Sequence, residues 1–264
     1  MSTSNLRPGT TLGDAPSLIA CPGGPMAELH GQGPSPDLEY SGVKPPAAKG
    51  PLRVLLADDH EMLRLGTATF LKLQIGCDIC GEACDGRDAL KLAESTRPDV
   101  AVIDLGLPGL NGLELTRQIR RFLPKMEIVV LSGDISDDMT QRALEAGAKA
   151  FIRKIDAIAH LAEAVQTVAE HRFYLTPQAH ESLHHKKPSK TARRQPGVMP
   201  KLTSRESEAV QLLAEGKSNK EVAGVLGISV KTVETHRAAI MRKLKLARLS
   251  DLVRYAIRHK IIHA

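Results

Sequence analysis

Residues 54–59 read Val-Leu-Leu-Ala-Asp-Asp, and residues 100–104 read Val-Ala-Val-Ile-Asp. Two later apolar runs end in the same way, the first at Ser132 and the second at Lys154. Continuous apolar strands of this kind are typical of a parallel sheet that is covered on both faces. Because ligands bind at the carboxyl ends of the strands in a doubly wound parallel sheet, these polar residues are expected to meet there.

The strand ends bring three carboxylates, Asp58, Asp59 and Asp104, to one edge of the predicted sheet. Neighbouring carboxylates repel one another, so they require a cation, and hard oxygen ligands suit Mg²⁺. Lys154 and Ser132 would add an ammonium and a hydroxyl at the same edge. We therefore expect a site for a phosphoryl group, with transfer of phosphate onto an aspartate. Asp58 and Asp59 can also be explained as a helix N-cap pair, and both explanations can hold at once.

Four segments lie at or beside the ends of the predicted strands. Residues 56–60 read Leu-Ala-Asp-Asp-His, and residues 104–112 read Asp-Leu-Gly-Leu-Pro-Gly-Leu-Asn-Gly. Residues 131–133 read Leu-Ser-Gly, and residues 147–154 read Gly-Ala-Lys-Ala-Phe-Ile-Arg-Lys. In this order they resemble the receiver domain of bacterial two-component response regulators. Each segment alone is a weak signal, but the four together at receiver-like spacing are a strong one, and the resemblance runs from about residue 52 to about residue 172.

The resemblance implies a role for each strand-end residue. Asp104 would accept the phosphoryl group, and Mg²⁺ would be held by Asp58, Asp59, Asp104 and the backbone carbonyl of Gly106. Lys154 would pair with the phosphoryl oxygens as a compact cation.

Two further residues are candidates for a conformational switch. Ser132 would bond the phosphoryl group and move with its loop. Phe151 lies where this family has a rotating aromatic or similar residue. It has no hydroxyl, so coupling through it must use packing. A plain core aromatic is the competing interpretation of Phe151.

The alternation of apolar strands with helical patterns predicts an α/β domain with a five-stranded, doubly wound parallel sheet, the flavodoxin-like receiver fold. Strands are expected near residues 53–57, 78–83, 100–104, 127–131 and 149–152. Helices are expected near residues 60–74, 86–96, 111–122, 136–146 and 156–171.

After Pro200 the pattern is wholly helical and predicts an all-α domain of four helices. Thr203 is the expected cap of the first helix, with Glu206 completing a capping box. Asn219 and Ser229 are the expected caps of the second and third helices. The second helix, the turn at Gly227 and the third helix form a helix-turn-helix. The fourth helix is expected from about residue 249 to residue 259.

Three segments of this helical region carry a specific pattern. Residues 202–206 read Leu-Thr-Ser-Arg-Glu, and residues 215–223 read Glu-Gly-Lys-Ser-Asn-Lys-Glu-Val-Ala. Residues 226–237 read Leu-Gly-Ile-Ser-Val-Lys-Thr-Val-Glu-Thr-His-Arg. Together they closely resemble the LuxR-type DNA-binding domain, and with a receiver before it the chain resembles response regulators of the NarL/FixJ subfamily. That resemblance implies a transcription regulator that is activated by a sensor histidine kinase.

The third helix is the expected DNA-reading element, because such a helix fits the major groove. Its Val230, Val233, Ile240 and Leu244 are expected to face inward. The candidate DNA contacts are Lys231, Thr232, Glu234, Thr235, His236, Arg237, Arg242 and Lys245. The competing interpretation is the solvated face of an ordinary helix. Glu234 could accept from a cytosine amino group or could repel phosphate and act as a filter.

Charge is distributed unevenly over the 264 residues. Residues 52–175 hold 15 Lys and Arg against 19 Asp and Glu, a net charge of −4. Residues 201–264 hold 13 against 6, a net charge of +7. This asymmetry suggests a regulatory module joined to a polyanion-binding module. We expect the acidic receiver to contact the basic output domain in the resting state and to hinder DNA binding.

The remaining segments are expected to be irregular. Residues 1–51 are rich in Pro, Gly, Ser and Ala and predict a disordered N-terminal extension. Residues 175–200 predict a flexible basic linker, so the receiver would span 52–174 and the DNA-binding domain 201–264. No run of 18 apolar residues and no secretory signal are present, which indicates a cytoplasmic protein. The four cysteines do not suggest a disulfide framework.

The expected function is that of a phosphorylation-switched transcription factor. Its expected partners are double-stranded DNA, a sensor histidine kinase and, when phosphorylated, a second copy of the chain, with RNA polymerase as a further candidate. A phosphatase or phosphotransferase usually needs a second acidic residue in an Asp-x-Asp pattern. Gly106 occupies the position of that second acidic residue. We therefore expect no enzymatic activity other than slow phosphorylation from small donors and slow loss of the phosphoryl group. The alternatives are a receiver-based interaction protein and a DNA-binding regulator independent of phosphorylation.

Overall fold

The computed structural model describes residues 50–133, 137–176 and 202–262. The predicted disorder of the N-terminal extension and the predicted flexibility of the linker concern residues that lie almost wholly outside these ranges. No helix in the described ranges is long and apolar enough to cross a membrane.

An alternating series of strands and helices fills the region before residue 176. The strands are β1 (Arg53–Ala57), β2 (Asp78–Ala83), β3 (Val100–Asp104), β4 (Glu127–Ser132), β5 (Ala150–Arg153) and β6 (Tyr174–Leu175). The helices are α1 (Glu61–Ile75), α2 (Gly86–Thr96), α3 (Gly112–Phe122), α4 (Asp137–Ala146) and α5 (Ala157–Ala169). A single 3-10 turn at Lys154–Asp156 joins β5 to α5.

The strands form one parallel sheet in the order β2-β1-β3-β4-β5-β6. The predicted doubly wound parallel architecture is confirmed, but the predicted number of five strands is too small by one. The sixth strand has two residues, which pair Tyr174 with Ala150 and Leu175 with Phe151. Two residues are too few to give a period-2 signal, and the second of them lies in the predicted linker of residues 175–200.

Two apolar cores cover the two faces of the sheet. Leu55 and Phe151 point into the core under α2, α3 and α4, whereas Leu56 and Ile152 point into the core under α1 and α5. Neighbouring residues on a strand face opposite sides, so each strand contributes to both cores. The three described cysteines, Cys77, Cys80 and Cys84, are free thiols.

Four helices follow residue 202 and enclose a third core. They are α6 (Ser204–Ala214), α7 (Asn219–Leu226), α8 (Val230–Leu244) and α9 (Leu249–Arg258). The predicted caps at Thr203 and Ser229 are confirmed, and Thr203 forms the predicted capping box with Glu206. The predicted cap at Asn219 is wrong, because the Ser218 hydroxyl accepts from the Glu221 backbone N–H and completes a second capping box.

The inward face of α8 differs from the prediction at one position. Val233, Ile240 and Leu244 are buried, but Val230 is 41% exposed. Val230 is the first residue of the helix, where the neighbouring turn leaves it open to solvent.

In α9, Leu252 is fully buried and belongs to the core, whereas Leu249 is 38% exposed.

Candidate functional site

Three strands deliver charged side chains to one point at the carboxyl edge of the sheet. Asp58 follows β1, Asp104 is the last residue of β3, and Lys154 follows β5. The Lys154 Nζ donates a hydrogen bond to Asp104 Oδ2 at 2.8 Å. The same Nζ lies 3.0 Å from Asp58 Oδ2 as an ion pair. Lys154 therefore bridges two aspartates that are only 5% exposed.

The ionisation of Lys154 is set by two opposing effects. Burial by itself would lower the pKa of the Lys154 ammonium. The hydrogen bond that Lys154 donates to Asp104 and the negative charges of Asp104 and Asp58 outweigh burial, so the pKa of Lys154 is raised above its usual value. Lys154 is therefore a fixed positive charge at neutral pH, and it partly neutralises the carboxylates.

The acidic cluster has the composition of a cation site. Single ligand atoms from Asp58, Asp59, His60 and Asp104 all lie within 4.8 Å of one another. One ammonium faces three carboxylates here, so negative charge remains for a divalent cation. Oxygen-rich sites of this kind suit Mg²⁺, and the residues present fit that ion.

His60 belongs to this cluster, although sequence reasoning assigned it no role. Its backbone N–H donates to Asp58 Oδ1 at 2.9 Å, and its Nδ1 lies 2.8 Å from Asp59 Oδ1. These contacts hold the two carboxylates in a fixed orientation. The only signal in the sequence was its position directly after the aspartate pair.

A cavity of about 330 Å³ opens from this cluster to solvent. It is lined by Asp59, His60, Leu63, Asp104, Gly106, Gly133 and Lys154. Ser132 ends β4 beside this lining and is 5% exposed. Of the predicted strand-end residues, Asp59, Asp104 and Lys154 line this open space, and Asp58 is joined to it through Lys154. Phe151 is 2% exposed and packs in the core under α2, α3 and α4, so outward rotation would require repacking of that core.

The outer face of α8 carries the predicted DNA contacts. Lys231, Thr232, Glu234, Thr235, Arg242 and Lys245 are exposed, and His236 and Arg237 are half-buried. None of the ion pairs in the described part of the helical region contains Lys231, Arg242 or Lys245. The cations of these pairs are Arg205, Lys243, Arg254 and the receiver's Arg87. The positive charges on this face therefore lack carboxylate partners, as expected of a surface that meets phosphate.

Comparison with known proteins identifies both halves of the chain. Residues 54–166 match the family model of the response regulator receiver domain. Residues 200–256 match that of bacterial regulatory proteins of the luxR family. The transcriptional regulatory protein LiaR of Bacillus subtilis is 37% identical over 214 residues, which cover 80% of this chain and 100% of LiaR. The chain belongs to the response regulator family.

Two further proteins are similar to this response regulator. The response regulator protein VraR of Staphylococcus saprophyticus is 34% identical over 212 residues, which cover 80% of this chain and 99% of VraR. A solved structure of the Salmonella typhimurium response regulator RcsB is 24% identical and covers 78% of this chain and 97% of that chain, with a TM-score of 0.49. The response regulator is a transcription factor with a receiver domain and a LuxR-type DNA-binding domain.

The receiver and the DNA-binding domain touch in this response regulator, as expected, and the ion pair between them joins a receiver arginine to an output-domain carboxylate. Glu208 and Gln211 of α6 and Glu215 directly after it contact Arg87, Gln118 and the loop between β3 and α3. Arg142 of α4 also donates to the His259 carbonyl oxygen. The expected contact between the receiver and the output domain is therefore present, but the exposed basic residues of α8 take no part in it.

Proposed function

We propose that Asp104 accepts a phosphoryl group from a sensor histidine kinase, and that this controls dimerisation and sequence-specific DNA binding. The observation that carries the proposal is the bridge from Lys154 to Asp104 and Asp58 in an open acidic site. An isolated surface aspartate would have no half-buried lysine beside it and no second carboxylate to hold a cation.

The proposed reaction is a direct transfer onto Asp104. A carboxylate oxygen of Asp104 attacks the phosphorus of a phosphohistidine on the kinase, so an O–P bond forms. The P–N bond breaks, and its electron pair returns to the imidazole ring of the kinase. Lys154 neutralises charge on the phosphoryl oxygens, and the Ser132 hydroxyl donates a hydrogen bond to one of them. These groups offset the charge that develops in the transition state.

Asp58, Asp59, Asp104 and the backbone carbonyl of Gly106 would hold Mg²⁺ in this reaction. Mg²⁺ would neutralise the charge that a phosphoryl group brings to an already acidic site. The response regulator would act as a phosphoacceptor and not as an enzyme with turnover. Gly106 supplies no general acid, so the acyl phosphate would be lost only slowly to water.

We infer that the output domain binds double-stranded DNA through α8. Lys231, Arg242 and Lys245 would contact phosphates, and Thr235 would face base edges. His236 and Arg237 would add contacts from the same face, together with Thr232 and Glu234. The receiver would occupy residues 52–174 and the output domain 201–264. Kinase and DNA would meet the protein in the cytoplasm, and RNA polymerase is a further candidate partner.

One observation favours a second candidate, a regulator that binds DNA independently of phosphorylation. The outer face of α8 is exposed while the two domains touch. Phosphorylation therefore cannot act simply by uncovering these side chains. In our proposal it acts through dimerisation, because two half-sites read together bind more tightly than one.

Sedimentation with and without beryllofluoride, a mimic of the phosphoryl group, tests the proposed switch. With Mg²⁺ and beryllofluoride we expect the full-length chain to shift from monomer to dimer. The same additions should leave the Asp104→Asn variant unchanged. A wild-type protein with the same oligomeric state under both conditions would argue against control through dimerisation.

The metal assignment predicts a specific stability effect at Asp59. Without Mg²⁺, Asp59→Asn should raise the melting temperature, because it removes one of three mutually repelling carboxylates. At about 100 times its dissociation constant, Mg²⁺ should stabilise the wild type by about 2.7 kcal/mol. The variant should gain much less, since one ligand is lost. Thermal unfolding with and without Mg²⁺ measures both effects.

The matched control for this experiment is Asp88→Asn, which removes an exposed aspartate from α2. It should keep the full stabilisation by Mg²⁺. Equal stabilisation of the wild type and Asp59→Asn would show that Asp59 does not hold the metal.

A further inference from the structure

Arg64, in the first turn of α1, reaches back to the loop that carries the aspartate pair. Its Nη1 donates a hydrogen bond to the backbone carbonyl oxygen of Asp58 at 2.8 Å. Its Nε forms an ion pair with Glu82 Oε2 of β2 at 3.4 Å. The Arg64 side chain is only 16% exposed, so the guanidinium is largely withdrawn from solvent. One planar group therefore joins α1, the acidic loop and β2.

The carbonyl that Arg64 binds belongs to the peptide group between Asp58 and Asp59. Because a peptide group is planar, the direction of this carbonyl depends on one backbone dihedral of Asp58 and one of Asp59. The same two dihedrals help to set where both carboxylates point. On the other side, the Asp58 backbone N–H donates to the Ala83 carbonyl oxygen of β2 at 3.1 Å. The backbone of the aspartate pair is therefore held between β2 and Arg64.

The start of α1 differs from the starts of the next two helices. Asp85 and Asn111 cap α2 and α3 through their side chains. Within the described part of the chain, the N-cap residue of α1, His60, makes no capping hydrogen bond with its side chain. Its Nδ1 contacts Asp59 instead. Arg64 therefore supplies from inside the helix the link to the preceding loop that a capping side chain supplies elsewhere.

The positive charge of Arg64 is balanced by Glu82 outside the acidic cluster. A bare cation next to a metal site would repel the metal. The ion pair with Glu82 offsets this charge, and since the Glu82 side chain is 36% exposed the pair contributes little to stability. Its value is geometric, because a guanidinium presents Nη1 and Nε in fixed directions. Arg64 thus orients the peptide group while adding little net charge.

We propose that Arg64 is a positioning residue for Mg²⁺, which holds the peptide group between Asp58 and Asp59 in the orientation that turns both carboxylates towards one cation. The inference rests on the proposed function, which assigns these carboxylates to the metal. Their ligand atoms already lie within 4.8 Å of one another. Loss of a residue that orients metal ligands typically weakens metal binding by about 10- to 100-fold.

The direction of the change in Mg²⁺ affinity on removal of Arg64 separates three roles. A positioning role predicts weaker binding, because the two carboxylates are no longer held together. A role through positive charge alone predicts tighter binding, since a repelling cation is removed. A purely structural role predicts a lower melting temperature of the metal-free protein and an unchanged affinity for Mg²⁺.

Arg64→Met is the test variant, because methionine keeps a long side chain but can neither donate to the Asp58 carbonyl nor pair with Glu82. Arg64→Lys keeps the charge but replaces the planar group by a single ammonium. Arg121→Met is the matched control. Arg121 is exposed in the last turn of α3, at the end of the helix that leads towards the amino end of β4.

The experiment is a calorimetric titration of the full-length chain with Mg²⁺, with thermal unfolding of the metal-free proteins as the measure of folding. We expect Arg64→Met to bind Mg²⁺ about tenfold more weakly than the wild type and Arg64→Lys to lie between the two. Arg121→Met should match the wild type. Labelling of Arg64→Met by acetyl phosphate should be slow at low Mg²⁺ and should recover at saturating Mg²⁺, because the defect lies in metal affinity.

Unchanged or tighter Mg²⁺ binding in a folded Arg64→Met variant would overturn the inference and leave the proposed function intact. Slow labelling of that variant at saturating Mg²⁺ would also overturn it, since Arg64 would then act on something other than the metal. If Arg64→Met does not fold, Arg64→Lys decides, and an affinity equal to that of the wild type would count against the inference. Absence of Mg²⁺ binding by the wild type would instead contradict the proposed function itself and the inference with it.

Discussion

Replacing Asp104 by asparagine should reduce labelling of the response regulator by acetyl phosphate to background. Asparagine keeps the size of the side chain, but its amide oxygen is a poor nucleophile and forms no stable acyl phosphate. Lys154 would keep its ion pair with Asp58, so the site should retain its overall arrangement. Labelling is measured by phosphate incorporation or by the mass of the intact protein, and circular dichroism shows whether the variant is folded.

Asp88→Asn is the control for this prediction and should label like the wild type. Lys154→Ala should label weakly, because two buried carboxylates then face the incoming phosphoryl group without their ammonium. A folded Asp104→Asn variant that labels at the wild-type level would show that the phosphoryl group is accepted elsewhere.

Removal of the exposed cations of α8 should weaken binding to every DNA sequence. Lys231→Ala and Arg242→Ala should each reduce affinity by about tenfold, since a hydrogen bond to a charged group contributes about 1.5 kcal/mol. Each lost phosphate contact should also make the slope of log K against the logarithm of the salt concentration less negative by about 0.9. Titration of a labelled duplex at several salt concentrations gives both numbers.

Thr235→Ala should behave differently, because Thr235 is expected to face bases. It should change the preference among sequences while leaving the salt dependence nearly as in the wild type. Lys125→Ala, which removes an exposed lysine of the receiver, is the control for charge alone. If Lys125→Ala and Lys231→Ala weaken DNA binding equally, α8 is not the element that contacts DNA.

The positions of the predicted receiver residues could be read from the sequence because strand ends are local signals. The end of each apolar run marks the carboxyl end of its strand. In a parallel sheet all these carboxyl ends lie at one edge. This reasoning placed Asp58, Asp104 and Lys154 together, as the structure shows. It missed the strand at Tyr174–Leu175, because two residues carry no periodic pattern.

The contact between the domains could not be read in the same way. Gln211 has the appearance of an ordinary polar residue on an amphipathic helix, and its partners lie about 100 positions earlier in the chain. No period or motif links residues so far apart. Net charge predicted that the two domains touch but not which side chains touch, since it sums whole domains, whereas the contact depends on a few side chains such as Glu208 and Arg87.

The most direct test of the account is DNA titration of the full-length protein with and without beryllofluoride, for the wild type and for Asp104→Asn. We predict that beryllofluoride and Mg²⁺ increase the affinity of the wild type for a two-half-site duplex and leave Asp104→Asn unchanged. Equal affinity of the wild type under both conditions, with beryllofluoride bound, would contradict the account and favour a regulator that binds DNA independently of phosphorylation.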